Sequence, residues 1–415
     1  MPGMTSVTRT LVLVVLALAL TAPVQAQTPA PTGPFAVTVV PPVHGKLQLS
    51  PPLPADGKYP AGTVVTVTTT PDPGYALDSA WYSVPGRFGQ MYHEGMTPAF
   101  KVTIDRDKRI GASFIEAAAV KDLVVTHDVV FAKPGVKTLK YDVYAPKGAR
   151  NLPIIVIVHG GGWAANDEDI MRGLARELTK GGQFVVCSID YRWGGKADGD
   201  AVGNTMANLI EDVFGGIAHI MENAAKYGGD PSRIGVTGDS AGGHLSAAAS
   251  LMPNMIGSRG FGKTAGVFEF MPTYLPKGKT AEQVRDEMMK AIKAAAPSYG
   301  VFGGTMLNPY SEEHANDQAW KDAIAPLAHI PAATERSVPQ FLTRGTRDGL
   351  IQDAGVKEFV DALVKAGQRA EYVQVGGAGH AFFDWKPDEN TKATFAKYGV
   401  YYAASMKAFF ASVLY

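Results

Sequence analysis

The sequence predicts an α/β chain: a mostly parallel sheet with helices on both faces, preceded by a small β-rich domain. Three observations carry this expectation. Buried-strand runs such as "PIIVIV" (153–158) and "QFVVCSIDY" (183–191) alternate with helical segments such as "GNTMANLIEDVFGGIAHIMENAAKYGG" (203–229), the pattern of a sheet covered on both sides. Before residue 117 the helical segments vanish, and apolar and polar residues alternate between Gly, Pro and Asp punctuation. Finally, "VTGDSAGGHLSAAAS" (236–250) sets a serine between a short strand and a helix.

The elements follow in order. Arg9, the apolar run 11–20 and "VQA" ending at Ala26 read as a signal peptide over 1–26, so export to the periplasm or beyond is expected. Ten apolar residues are too few to span a bilayer of roughly 30 Å, and no membrane span is expected after cleavage. Residues 27–34 read as a Pro-rich linker. Residues 35–118 read as the β-rich domain, with strands in "FAVTVV", "GKLQLS", "GTVVTVTTT" and "PAFKVTIDRDKRIGASF". Its Tyr75, Trp81, Tyr82, Phe88 and Tyr92 read as core residues or as faces for stacking on sugars. Residues 119–415 form the α/β domain. "KTLKYDVYA" reads as an outer strand, and "GVFEFM", "PQFLTRG" and "AEYVQVGG" as later ones. The long stretch between "GVFEFM" and "PQFLTRG" reads as an insertion over about 257–325, with a helix in "KTAEQVRDEMMKAIKAAAPSYGVFGG", and a cap over the site is expected there.

Composition narrows the function classes. The 415 residues carry 39 Lys+Arg and 39 Asp+Glu, so no basic excess points to nucleic acid. Cys187 is the single cysteine, which rules out an intramolecular disulfide, and its strand context reads as a packed, inert thiol.

The chemistry centres on Ser240. Gly238-Asp239-Ser240-Ala241-Gly242 is a Gly-x-Ser-x-Gly turn between strand and helix, which projects the hydroxyl outward. A serine needs a base, and His380 in "GGAGHAFFDW" lies just after the last expected strand. Asp348 in "FLTRGTRDGLI" follows another strand end and is the expected acid. Asp353 competes for that role but reads as a helix N-cap. Asp239 and His244 read as structural, holding the turn and packing on the helix. Consecutive glycines in "VIVHGGGWAAND" (156–167) can converge backbone N–H groups on one point. Gly161, Gly162 and Ala241 are the expected oxyanion donors.

At this point the chain resembles known families. "HGGGW", "DYR", "DPSRIGVTGDSAGGHL", "GTRDGLI" and "GAGHAF" are similar to the hormone-sensitive-lipase-like esterases and the related acetyl-xylan and feruloyl esterases of the α/β-hydrolase superfamily, over roughly 120–415. The resemblance implies that fold, a Ser-Asp-His triad, an ester substrate that is a small molecule or polysaccharide-linked, and no cofactor. The segment "KLQLSPPLPADGKYPAGTVVTVTTTPDPGYALDSAW" resembles the divergent surface repeat of internalin-type proteins and implies a β-grasp-like accessory module. A prolyl-oligopeptidase-like peptidase shares the triad order, but it carries a propeller that some eighty β residues cannot build. An adhesion or carbohydrate-binding protein on this scaffold would be expected to have lost a triad residue.

Two decoys stand apart. "GSRGFGKT" (257–264) matches a phosphate-binding loop letter for letter, yet it precedes a strand rather than opening a helix. "EEHAND" (312–317) mixes carboxylates and a histidine but reads as a solvated loop, and neither a His-Glu-x-x-His motif nor a cysteine pair points to metal.

Overall fold

The computed structural model describes residues 32–86 and 89–415. The expected signal peptide, most of the linker and Phe88 lie outside the described residues. The N-terminal part is all strand: β1 (Pro34–Val39), β2 (Gly45–Ser50), β3 (Lys58–Pro60), β4 (Thr63–Pro71), β5 (Tyr75–Gly86), β6 (Gly89–Gly95), β7 (Ala99–Ile104) and β8 (Lys108–Glu116). They form a five-stranded sheet, β3-β1-β8-β5-β6, and a three-stranded sheet, β2-β4-β7. Val37, Tyr59, Val65, Val67, Val102 and Ile110 fill the space between them. No helix lies among these strands in the described residues, so the β-grasp expectation is corrected to a two-sheet packing. Trp81 is buried and meets Tyr92 edge-on at 5.2 Å, while Tyr82 stacks on His93 at 4.6 Å.

The second part is built on β9 (Leu123–Ala132), β10 (Leu139–Pro146), β11 (Leu152–Val158), β12 (Val185–Ile189), β13 (Gly229–Asp239), β14 (Ile292–Ser298), β15 (Gln340–Gly345) and β16 (Ala370–Val375). Their order is β16-β15-β14-β13-β11-β12-β10-β9. All pairs are parallel except those of β10 with β9 and β12. The central strands are buried on both faces, so their sequences are continuous apolar runs rather than alternating ones. Helices α1 (Arg172–Thr179), α2 (Met206–Asn223), α3 (Ala241–Leu251), α4 (Ala281–Ala291), α5 (Gln318–Ala323), α6 (Asp353–Lys365), α7 (Glu389–Thr394) and α8 (Val400–Leu414) accompany the sheet. Pairing of Val158 with Gly238, Asp239 with Ser298, and Gly345 with Val375 aligns the carboxyl ends of the strands along one edge. Ligands bind beyond such edges in open parallel sheets.

Two sequence expectations fail together. "GVFEFM" (266–271) is not a strand and contributes only isolated bridges, Ile256 with Phe270 and Phe261 with Phe268. The strand beside β13 is instead "IKAAAPS", so α4 and β14 are an ordinary helix–strand unit of the sheet. The segment 257–325 is therefore not a free-standing cap. Alanine has the best helix propensity, and the run reads as helix in isolation. Close approach of α3 overrides it: a Cβ at Gly243 would stand 2.5 Å from the Ser298 carbonyl, and Ala294, Ala295 and Ala296 are fully buried. The phosphate-loop decoy (257–264) is irregular and opens no helix.

Among the described glycines the closest approach is at Gly242, where a Cβ would lie 2.0 Å from the Val158 carbonyl oxygen. Gly242→Ala must push two backbones apart, and is expected to cost about 3 kcal/mol or more of stability. Thermal or urea unfolding measures this, and a loss below 1 kcal/mol (roughly the size of an ordinary substitution) would contradict the packing described.

Candidate active site

Ser240 joins β13 to α3 with φ 52° and ψ −112°. A non-glycine residue held there is strained by about 1–3 kcal/mol, and such strain persists only where the surroundings enforce it. The enforcement is visible. A Cβ at Gly238 would stand 2.4 Å from the carbonyls of Gly242 and Val158, so small residues let the turn close against β11. The Ser240 N–H donates to the Ser298 carbonyl at 3.0 Å, and the Ser240 carbonyl accepts from the His244 N–H at 3.1 Å.

The structure brings Ser240, His380 and Asp348 together. His380 Nε2 lies 2.9 Å from Ser240 Oγ, and His380 Nδ1 lies 2.8 Å from Asp348 Oδ2. Asp348 sits on the loop after β15, and its other oxygen accepts the N–H groups of Leu350 and Ile351, each at 2.9 Å. Burial pushes this carboxyl up, but the hydrogen bond from His380 and the two amides outweigh it and hold it below its ordinary value. His380 sits on the loop after β16, edge-on to Tyr299 at 4.8 Å, with 22% of its side chain exposed. Asp353 turns elsewhere. It is the first residue of α6 rather than its N-cap, which is Gln352. It accepts from Tyr372 Oη at 2.7 Å and Gln374 Nε2 at 2.6 Å, and pairs with Lys357.

The glycine loop follows β11. Gly161 has φ 128° and Gly162 φ 59°, and a Cβ at Gly161 would meet the Ala165 carbonyl at 2.1 Å. Neither amide has a protein acceptor among the described residues. Ala241 is the first residue of α3, where an N–H has no intrahelical acceptor. Three backbone donors are thus available beside Ser240. The loop is anchored on both sides. Asp239 Oδ1 accepts the Gly160 N–H at 2.5 Å. His159, fully buried, stacks on Tyr191 at 4.2 Å and reaches Asp190 Oδ1 at 3.1 Å, where Lys137 Nζ adds a 2.7 Å contact. This gives "DYR" its role: Asp190 and Tyr191 hold the start of the glycine loop. His244 is structural: its Nδ1 accepts from Trp163 Nε1 at 3.2 Å and its Nε2 donates to the Ile324 carbonyl at 2.9 Å. Burial drives it down to about 4, so it is the neutral imidazole this pattern needs. After β14, Tyr310 donates to the Gly162 carbonyl at 2.9 Å, so part of the segment 257–325 rests on the glycine loop.

Sequence reasoning missed Asp384. It is buried four residues after His380 and shares a side-chain hydrogen bond with Asp239. The only sequence signal was an acid in "HAFFDW", whose partner lies in another motif. The pair joins the serine turn, the glycine loop and the histidine loop at one point. As for metal, Asp128, Asp142 and Glu168 could present one oxygen each to an ion. The Lys140 ammonium already bonds Asp128 and lies 2.8 Å from Glu168 Oε1, so this cluster carries its own cation. In "EEHAND", Asp317 caps α5 and His314 stacks on Trp320.

The profile of the BD-FAE family matches residues 141–363, just over half of the chain, spanning the glycine loop, the serine turn and Asp348. The chain belongs to the BD-FAE family. Curated relatives agree in kind. Carboxylesterase NlhH of Mycobacterium tuberculosis is 39% identical over 124 residues, 30% of this chain and 37% of that one. Esterase LipQ of the same species is 28% identical over 249 residues, 56% of this chain and 51% of that one. A probable isoprenylcysteine alpha-carbonyl methylesterase of Oryza sativa subsp. japonica is 28% identical over 250 residues, 58% and 54%. The chain thus spans about a third to a half of the length of these relatives. Among solved structures, the propionate-bound esterase 2 of Thermogutta terrifontis is 23% identical with a TM-score of 0.49, covering 69% of this chain and 93% of that one. No helix among the described residues of this BD-FAE chain is long and apolar enough to cross a membrane.

The acid pair generates a prediction. Burial and the neighbouring charge raise Asp239, and burial raises Asp384 against the pull of Lys386 and His380. The folded pair therefore keeps protons that the unfolded chain releases above about pH 4. Its contribution to stability is largest in acid and falls as pH rises through the unfolded carboxyl range toward the raised folded values. Asp384→Asn removes one of these carboxyls and keeps a hydrogen-bonding group. The Tm of Asp384→Asn minus that of the wild type should therefore increase from pH 5 to pH 8; a difference independent of pH contradicts the shared proton.

Proposed function

We propose that this chain is an exported serine ester hydrolase that acts through an acyl-enzyme on short acyl or feruloyl esters, including those carried on a polysaccharide. The observation that supports it most is the unbroken line from Ser240 Oγ through both His380 nitrogens to Asp348, at 2.9 and 2.8 Å.

Each step has a group at hand. His380 Nε2 accepts the hydroxyl proton as Ser240 Oγ attacks the ester carbonyl carbon. Asp348 accepts the Nδ1–H, which fixes the tautomer and stabilises the imidazolium that forms. The charge on the carbonyl oxygen falls to the N–H groups of Gly161, Gly162 and Ala241, which need no reorganisation because the loop is already anchored. His380 then returns the proton to the departing alcohol, and a water molecule repeats the sequence to release the acid. No step calls for a cofactor.

Support for an ester rather than a peptide comes from the BD-FAE match and from relatives named as esterases and carboxylesterases. The eight N-terminal strands in two small sheets are also far from a propeller. Export rests on the residue 1–26 reading, and the polymer-linked substrate on that export together with a partly exposed His380 that solvent-borne chains can approach.

Ser240→Ala should abolish hydrolysis of p-nitrophenyl acetate, and Asp348→Asn should lower kcat by about 10³–10⁴-fold, both measured on the purified chain from residue 27. Serine-dependent acetate release from acetylated xylan supports the polymer substrate; activity confined to the small ester contradicts it. Activity retained by Ser240→Ala would overturn the nucleophile.

A further inference from the structure

The loop that carries His380 is tied at its far end to the N-terminal β-rich region, and the tie is made of buried charge. Asp78 on β5 is buried and accepts five hydrogen bonds. Ser113 Oγ donates at 3.1 Å, Arg172 Nε and Nη2 at 3.1 Å each, Arg176 Nη1 at 2.8 Å and Trp385 Nε1 at 2.9 Å. Glu94 on β6 takes Arg172 Nη1 at 3.1 Å and Nη2 at 2.6 Å. Arg172, at the start of α1, is 1% exposed and also donates to the Asp169 carbonyl at 2.9 Å.

Trp385 is the receiving end. It stands five residues past His380 and one past Asp384. Its backbone N–H donates to the Ile170 carbonyl at 2.9 Å, its ring lies under the Arg176 guanidinium at 4.6 Å, and it packs so closely on α1 that a Cβ at Gly173 would stand 2.8 Å from it. The turn between His380 and Trp385 is thus fixed along its length. Phe382 and Phe383 pack on Tyr299 and Tyr402, Asp384 bonds Asp239, and Trp385 bonds Asp78.

We propose that the N-terminal β-rich region is a positioning component of the catalytic unit, in which Asp78 and Glu94, through Arg172 and Trp385, hold the His380 loop in register with Ser240. A contact needed only for adhesion would bury apolar surface, since a buried ionic network is an inefficient source of stability. What such a network supplies is direction. Bidentate guanidinium bonds fix angle as well as distance, and here they fix the element that must keep His380 Nε2 within reach of Ser240 Oγ. Asp78, Glu94, Arg172 and Trp385 touch no reacting atom; they act through His380. The inference rests on the ester-hydrolase reading above.

The test uses the full chain with Trp385→Phe, which keeps an aromatic ring and loses the hydrogen bond, and Asp78→Asn, which keeps the shape and loses the charge. kcat and KM are measured on p-nitrophenyl acetate, per serine titrated by a fluorophosphonate, alongside Tm. The proposal expects kcat per titrated serine to fall about 10-fold or more, with KM within about twofold and a folded Trp385→Phe protein. Should Asp78→Asn fail to fold, Trp385→Phe alone carries the result. A lowered Tm with wild-type kcat per titrated serine makes the network mere glue and overturns the proposal while leaving the esterase reading intact. An inactive wild-type chain overturns both.

Discussion

Two backbones meet without side chains between them where β13 turns into α3, and the rest of the site depends on that contact. The Val158 carbonyl fills the space that a Cβ at Gly238 or Gly242 would need. Only glycine permits that approach, which together with the hydrogen bonds to Ser298 and His244 holds Ser240 in its positive-φ conformation. The same contact sets the end of β11 beside the start of α3. The glycine loop leaving β11 and the free N–H at the head of α3 therefore share one space. A turn that positions a hydroxyl and a loop that positions amide donors are products of a single packing constraint.

Around that contact the protein spends buried polar groups where apolar ones would give more stability. Asp239, Asp190, Asp384 and Asp78 are all buried, and each ties together segments distant in sequence. Asp239 joins the serine turn to Gly160 and to Asp384. Asp190 joins β12 to His159. Asp78 joins the N-terminal sheet to α1 and Trp385. Such pairs are costly to desolvate, and removing one partner strands the other. Their placement explains the expense: every one acts on a loop at the carboxyl edge of the sheet, where backbone alone is too compliant to fix side chains to within a few tenths of an ångström.

The parts legible in the sequence are those governed by local spacing. The Gly-x-Ser-x-Gly turn, the glycine run after "VIV" and the acids and histidine after strand ends declare themselves because each sits within a few residues of an apolar run of strand type. The strand "IKAAAPS" was illegible because its alanines answer to α3 pressing on them, not to their own propensity. The role of "DYR" and the Asp239–Asp384 bond were illegible for a different reason. They join side chains whose meeting is fixed only once the sheet order is known. Arg172 and Asp78 are 94 residues apart in sequence and belong to regions of opposite pattern. Nothing local marks either as a partner.

The most direct test of the central claim is the mass of the protein after exposure to a small fluorophosphonate, with the modified peptide sequenced. A strained serine whose hydroxyl is hydrogen-bonded to His380 predicts one adduct per chain, on Ser240, formed at a rate that collapses when His380 is replaced by alanine. An unmodified chain, an adduct on another residue, or a rate indifferent to His380 would contradict it.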